Sequence, residues 1–443
     1  MSKLISAMQR RTRLAIAVAL TGAAVIGPLG YASAQEPIKL GVVAFLSGPA
    51  SEPMGIPGRN GAELVIDAIN SGELPAPYSS KGLGGRQIEP EYVDEAGGNS
   101  RQVEEFRSLV RRRGADAVVG YISSGSCGAV APVAENLKTL TVFATCGAVS
   151  LFENGEYDYV FRTIAHVASD NIAAALYLRD NMPGLKSYTG INQNYAFGQE
   201  NWLVFHAAME SIMPHAKLAG TPLWPKLFAG QFGADISALM LGDAELIYSS
   251  FWDGDLEAFV LQSNVRGLAD RKKLLFSIGA NSVYSLGRQM PDGVIIGAHG
   301  PYGILAADVD TPLNRWFIKA YSERYGKLPV ETSYQYAQTI VALKAAADKA
   351  MASGEDGLTL DQIRAALKGL EFESLSTTVR MTLGNGHQAV HENGYGVIRW
   401  DEEKGEAAVV DRQFYPVECV MPPQKLNSLE WIKAGMQGSS CIK

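Results

Sequence analysis

After residue 34, no stretch of this 443-residue sequence reaches the ~18 uninterrupted apolar residues that a membrane-spanning helix needs, so nothing there reads as a membrane span. Cysteine is scarce, at four residues, and no Cys-x-x-Cys occurs, which removes zinc and thiol-redox motifs of that kind. Ser124 is preceded two residues earlier by Ile122 rather than glycine, so the strained elbow of a serine hydrolase is missing. None of the six histidines falls in a recognisable catalytic motif. His387 and His391 are four apart, but the segment is a glycine-rich hairpin rather than a helix, so they read as surface polar residues and not as metal ligands. There is no internal repeat and no low-complexity segment. These absences point away from an enzyme and away from any metal or other cofactor.

The first 34 residues lack acids. They contain Lys3, Arg10, Arg11 and Arg13, then the apolar run LAIAVALTGAAVIGPLG, then Ala32-Ser33-Ala34. That order is a secretory signal peptide, and no cysteine follows the site to take a lipid. The mature chain is expected to begin at Gln35 in the periplasm. It would carry 35 basic and 46 acidic residues, a net charge of −11, which suits neither nucleic acid nor an anionic membrane. Export makes the cysteines candidates for disulfides. Proximity along the chain favours Cys127 with Cys146 and Cys419 with Cys441 among the three possible pairings.

From residue 38 onward, apolar runs and amphipathic stretches alternate. IKLGVVAF, IEPEYVD, ADAVVG and LTVFATCG read as buried strands, with helices such as SRQVEEFRSLVRRRG between them. The pattern restarts near residue 167. The segment from TVRMTLGNGH to DRQFYPVE alternates apolar and polar residues around glycine, as hairpins do. This predicts α/β architecture with a parallel sheet and helices on both faces in each of two lobes.

The order of these motifs resembles the type I periplasmic binding proteins of ABC importers, in the branch of the leucine/isoleucine/valine binders and aromatic-acid binders. The resemblance runs from about residue 38 to 415, through NGAELVIDAIN, VVGYISSGSCGAVAPVAEN, NQNYAFGQE and YQYAQTIVALKAA. It implies two doubly wound lobes of parallel sheet with flanking helices, joined by three crossovers. Residues 35–162 plus 298–386 would form the N-terminal lobe, and 163–297 plus 387–415 the C-terminal lobe. Residues 416–443 would be a tail pinned by its disulfide. The implied function is capture of a small carboxylate, an aromatic or apolar acid, and its delivery to a membrane permease by a monomeric protein. The alternatives are a branched-chain amino-acid binder and a periplasmic sensing module.

GYISSGSCGAVAP places hydroxyl groups where a strand ends and a helix begins, a place rich in free N–H groups and partial positive charge. In the resembling family the residue matching Ser124 holds the ligand carboxylate, helped by an amide of the loop Cys146-Gly147-Ala148. Ser123 and Tyr121 lie beside it. Tyr195, Phe197, Phe251, Trp252 and His299 are expected at the cleft edges, where aromatic faces stack on flat ligands. In FSIGANSVYS, Ala280 and Asn281 stand where an amino-acid binder places an acid, so a buried ammonium group would lack its countercharge unless Asp253 or Asp255 supplied it.

Overall fold

The structure is a computed structural model. It describes residues 36–442 apart from 353–356 and 424–425, and leaves the Asp253 side chain undescribed; the leader 1–34 lies outside the described residues. Strands numbered in chain order form two sheets. The first contains β1 (Ile38–Ala44), β2 (Ile88–Asp94), β3 (Ala117–Gly120), β4 (Leu140–Phe143), β5 (Val160–Arg162), β11 (Glu371–Glu373), β12 (Thr378–Leu383) and β13 (Gln388–Val390). Their spatial order is β11-β12-β13-β5-β4-β3-β1-β2. The second contains β6 (Ser187–Gly190), β7 (Lys217–Leu218), β8 (Leu246–Ser249), β9 (Lys273–Phe276), β10 (Ile295–Ile296), β14 (Asn393–Asp401) and β15 (Glu406–Tyr415). Their order is β15-β14-β10-β9-β8-β6-β7.

Strands β1, β3 and β4 are apolar on both faces because helices cover both sides of the parallel sheet. The antiparallel pairs lie toward one edge of each sheet, at β11–β12–β13 and at β10–β14–β15. Each sheet is therefore mixed. Among the described residues no helix is long and apolar enough to cross a membrane.

The chain changes sheet after β5, after β10 and after β13. The sequence reading puts Gln388–Val390 in the second lobe; it pairs instead with β12 and β5 of the first sheet. The passage falls at His391 and Glu392, because the alternating hairpin pattern continues across it and carries no sign of the switch.

Arg162 ends β5 and is fully buried at this junction. Its Nε donates to Gln388 Oε1 at 2.5 Å, and Nη1 donates to the carbonyls of Cys146 (2.8 Å) and Ala148 (2.7 Å). Burial lowers its pKa to about 9, against the opposing charges of Glu200 and Glu153. The crossover is thus tied to the loop that follows β4.

Both disulfides form as proximity predicts, with Cα–Cα distances of 6.5 Å for Cys127–Cys146 and 5.1 Å for Cys419–Cys441. In the tail, helix Val417–Val420 packs on helix Val167–Asn181, and helix Ser428–Lys433 packs on helix Ala196–Ile212. The Ser428 N–H (2.8 Å), the Ser428 hydroxyl and the Asn427 amide also donate to Glu153, beside the first sheet. The Cys419–Cys441 link spans 22 residues. Replacing both with serine should lower stability by ~3 kcal/mol, the chain-entropy value for a loop near that length. Urea unfolding without reductant measures this.

Candidate functional site

Strands β2 and β3 flank β1, so their C-terminal ends lie at one edge of the first sheet. Gly120 (φ +116°) and Tyr121 (φ +63°) turn the chain there into helix Ser124–Leu137. The N–H groups of Ile122 and Ser123 donate to Glu95, which follows β2, at 2.7 and 2.8 Å. Glu95 is 1% exposed. Burial outweighs the hydrogen bonds from Ile122, Ser123 and Ser126 and pushes its carboxyl up to about 7. The acceptor for these two N–H groups before the helix therefore comes from the chain itself.

Two other expectations change with it. Ser124 Oγ accepts the Ala148 N–H at 3.2 Å, so the two groups predicted to hold a ligand carboxylate bond to each other. Tyr121 does not face the cleft: the left-handed turn points its ring into the core, edge-on to Phe143 at 5.8 Å. Cys146 is likewise buried in its disulfide.

A small cavity of ≈ 10 Å³, close to the least that holds one water, lies between the two sheets' C-terminal edges. Met54, Ile122 and Thr145 line it from the first lobe, and Tyr195, Phe197, Trp252, Ile278 and His299 complete its walls. Ordinary ligand cavities measure ~300–1,000 Å³, so an aromatic or apolar acid would hold the lobes further apart than they stand here. Trp252 Nε1 donates to the Tyr195 hydroxyl at 2.8 Å, and Phe45 and Phe228 back the indole at 6.2 and 5.8 Å. Gly147 sits against the wall: a Cβ there would lie 3.1 Å from His299 and 3.3 Å from Phe197.

Of the remaining predicted residues, Phe251 is core, packed on Phe232 (5.0 Å) and Phe259 (5.5 Å). Ala280 is buried outside the lining, its N–H donating to the Gly297 carbonyl. Asn281 uses Oδ1 to accept the Thr332 N–H at 3.1 Å. His387 and His391 are not on the surface. His387 stacks on Phe161 at 4.2 Å, and His391 Nε2 accepts the Ala165 N–H at 2.9 Å.

Among the described residues the cavity walls contain no acid. Asp255, offered by the sequence as a countercharge, accepts the N–H groups of Phe228 (2.7 Å) and Gly230 (2.9 Å) and the Gln193 amide (2.8 Å). Asp253's side chain lies outside the described residues. His299 Nδ1 meets Asp170 Oδ2 at 2.5 Å. Burial pulls this imidazole's pKa down, but the charge and hydrogen bond of Asp170 outweigh it and hold it above its ordinary value. The Asn393 amide and the Tyr395 hydroxyl fix Asp170 in turn. Thr145, 4% exposed, has a hydroxyl with no partner. No signal beyond its place after the end of β4 marked it in the sequence.

A larger groove of ≈ 1090 Å³, open to solvent, runs between the tail and the loop after β4. Among the described residues Glu135, Glu153, Glu156, Asp158 and Glu430 line it with Lys368, so these acids disfavour anions there.

Residues 37–406 match the family model described as periplasmic binding protein. The chain belongs to the periplasmic binding protein family. Similar solved structures include a solute-binding protein of an ABC transporter from R. palustris in complex with benzoate, 19% identical with a TM-score of 0.71, the match covering 85% of this chain and 96% of that one. Another is a solute-binding protein from Rhodopseudomonas palustris BisB5 in complex with 3,4-dihydroxybenzoic acid, at 18% identity and a TM-score of 0.72, covering 86% and 98%. A third is a leucine-binding protein from Thermotoga maritima, at 16% identity and a TM-score of 0.70, covering 85% and 98%. Among curated proteins no sequence matches this chain significantly. At these identities the likeness to solved structures is one of fold.

Proposed function

We propose that this protein is the substrate-binding component of an ABC importer, capturing a small aromatic or apolar carboxylate between two closing lobes. The observation that carries this reading is the interlobe cavity, with its aromatic walls, its unpartnered hydroxyl and no acid among its described lining residues. The rings of Tyr195, Phe197 and Trp252 in its lining favour a flat or apolar body. A zwitterionic amino acid would bury its ammonium group among Ile, Met and aromatic side chains, and Asp255 is already taken up by the 228–230 loop. In this reading the chain is exported, loses residues 1–34, and as a monomer meets its permease at the outer face of the inner membrane. Binding selects the closed arrangement of the lobes.

A melting panel of carboxylates, α-amino acids and amides tests it. A ligand at 100 times its Kd adds ~2.7 kcal/mol of stability. Benzoate and 4-hydroxybenzoate are expected to raise the melting temperature. Stabilisation by α-amino acids or amides alone contradicts the reading.

A further inference from the structure

We infer that His299, held by Asp170, is the anchor for the ligand carboxylate, with the Thr145 hydroxyl as the second donor. The inference rests on the carboxylate-capture reading and assigns its polar end. A buried carboxylate needs donors not already engaged. At the start of helix Ser124–Leu137, Glu95 takes the Ile122 and Ser123 N–H groups and Ser124 Oγ accepts that of Ala148, and Ser123, Ser124, Gly125 and Ser126 lie outside the cavity lining. Tyr195 and Trp252 are tied to each other, the Tyr195 hydroxyl accepting the indole N–H. The other two polar side chains of the lining are Thr145 and His299. Thr145 Oγ1 is buried without a partner. His299 is 2% exposed and engages Asp170 through Nδ1, which leaves Nε2 as the ring's other nitrogen.

A carboxylate–histidine pair of this kind fixes the ring and makes the far N–H a charged donor. The support behind it is extensive. Asp170 lies in the first turn of helix Val167–Asn181 and receives the Asn393 amide. His299 itself sits at φ +50°, a conformation a side chain other than glycine adopts at a cost and that structure retains where it aims a group. Gly147 lets the imidazole come this close, since a Cβ at that position would press on the ring at 3.1 Å.

The test is benzoate titration by calorimetry on His299→Asn, Thr145→Val and Ser124→Ala. Asparagine tolerates the left-handed backbone at position 299. His299→Asn should weaken benzoate binding by about 10- to 100-fold, the range for losing a hydrogen bond to a charged partner. Thr145→Val should weaken it by about 10-fold, the low end of the range for a hydrogen bond to a charged group. Ser124→Ala should leave it within about twofold. In wild-type protein labelled with ¹⁵N-histidine, the His299 Nε2 resonance should move when benzoate is added, a readout that needs no substitution. Unchanged affinity in His299→Asn, a still Nε2 resonance, or loss confined to Ser124→Ala overturns the inference while leaving carboxylate capture intact. Failure of wild-type protein to bind either benzoate or 4-hydroxybenzoate removes the aromatic-acid reading and this anchor with it.

Discussion

Replacing Glu95 with alanine should cost about 4 kcal/mol of stability, because it leaves the buried N–H groups of Ile122 and Ser123 without an acceptor. Each unsatisfied buried group costs ~1–3 kcal/mol. Glutamine keeps one acceptor oxygen and should cost roughly half as much. The pH dependence separates this account from a simple packing loss. The folded carboxyl titrates at about 7, above its ordinary 4.5. Between those values the folded chain keeps a proton that the unfolded chain has released. The contribution of Glu95 is therefore full below pH 4.5 and is lost as pH rises to 7, at up to ~1.4 kcal/mol per unit. The stability gap between wild type and Glu95→Gln should narrow from pH 5 to pH 7 in urea unfolding. A gap that widens over that range means the carboxylate is stabilised in its ionised form.

Gly120→Ala should be comparably damaging, at roughly 2–5 kcal/mol. The residue sits at φ +116°, and a Cβ there would lie 2.1 Å from the Val43 carbonyl oxygen of the neighbouring strand. The left-handed backbone adds ~1–2 kcal/mol for an L-residue, and forced overpacking a further ~1–3 kcal/mol. The clashing atom is backbone, so relief requires β1 and β3 to part. Gly128→Ala is the control. It lies inside helix Ser124–Leu137 with open space around its Cβ position and should stabilise by up to ~1 kcal/mol. Urea unfolding of the two variants checks both signs. Equal effects would mean that the turn after β3 is not what requires glycine.

Much of the frame is legible in the sequence. Buried parallel strands announce themselves as apolar runs, as in IKLGVVA and ADAVVG, and the cysteines pair with their nearest neighbours in the chain. Tyr195, Phe197, Trp252 and His299 reach the cavity because they follow the C-terminal ends of strands, where open sheets place ligands. Phe251 and Trp252 both lie in that position, but neighbouring residues of extended chain face opposite ways, so the first enters the core and the second lines the cavity. Tyr121 and Ile122 divide in the same manner after the left-handed turn. Glu95 was not legible as the partner of the helix start. It stands 27 residues before Ile122, and only the placement of β2 and β3 on either side of β1 brings the two together. An acid closing a strand whose neighbour ends in a donor-rich turn is the signal that points to such a pair. Thr145 was hidden for a different reason, since its orphaned hydroxyl is a property of the folded loop that Arg162 and the disulfide hold.

The account's central claim is that the interlobe cavity takes a carboxylate without an α-ammonium group. Calorimetric titration with matched pairs tests it most directly: phenylacetate against phenylglycine, and 4-methylpentanoate against leucine. The members of each pair differ only by the α-ammonium group. The account predicts that the acid of at least one pair binds, and that its amino-acid partner binds at least about 100-fold more weakly, in line with the cost of burying an ammonium group without a countercharge. Equal or tighter binding of the amino acid would contradict it.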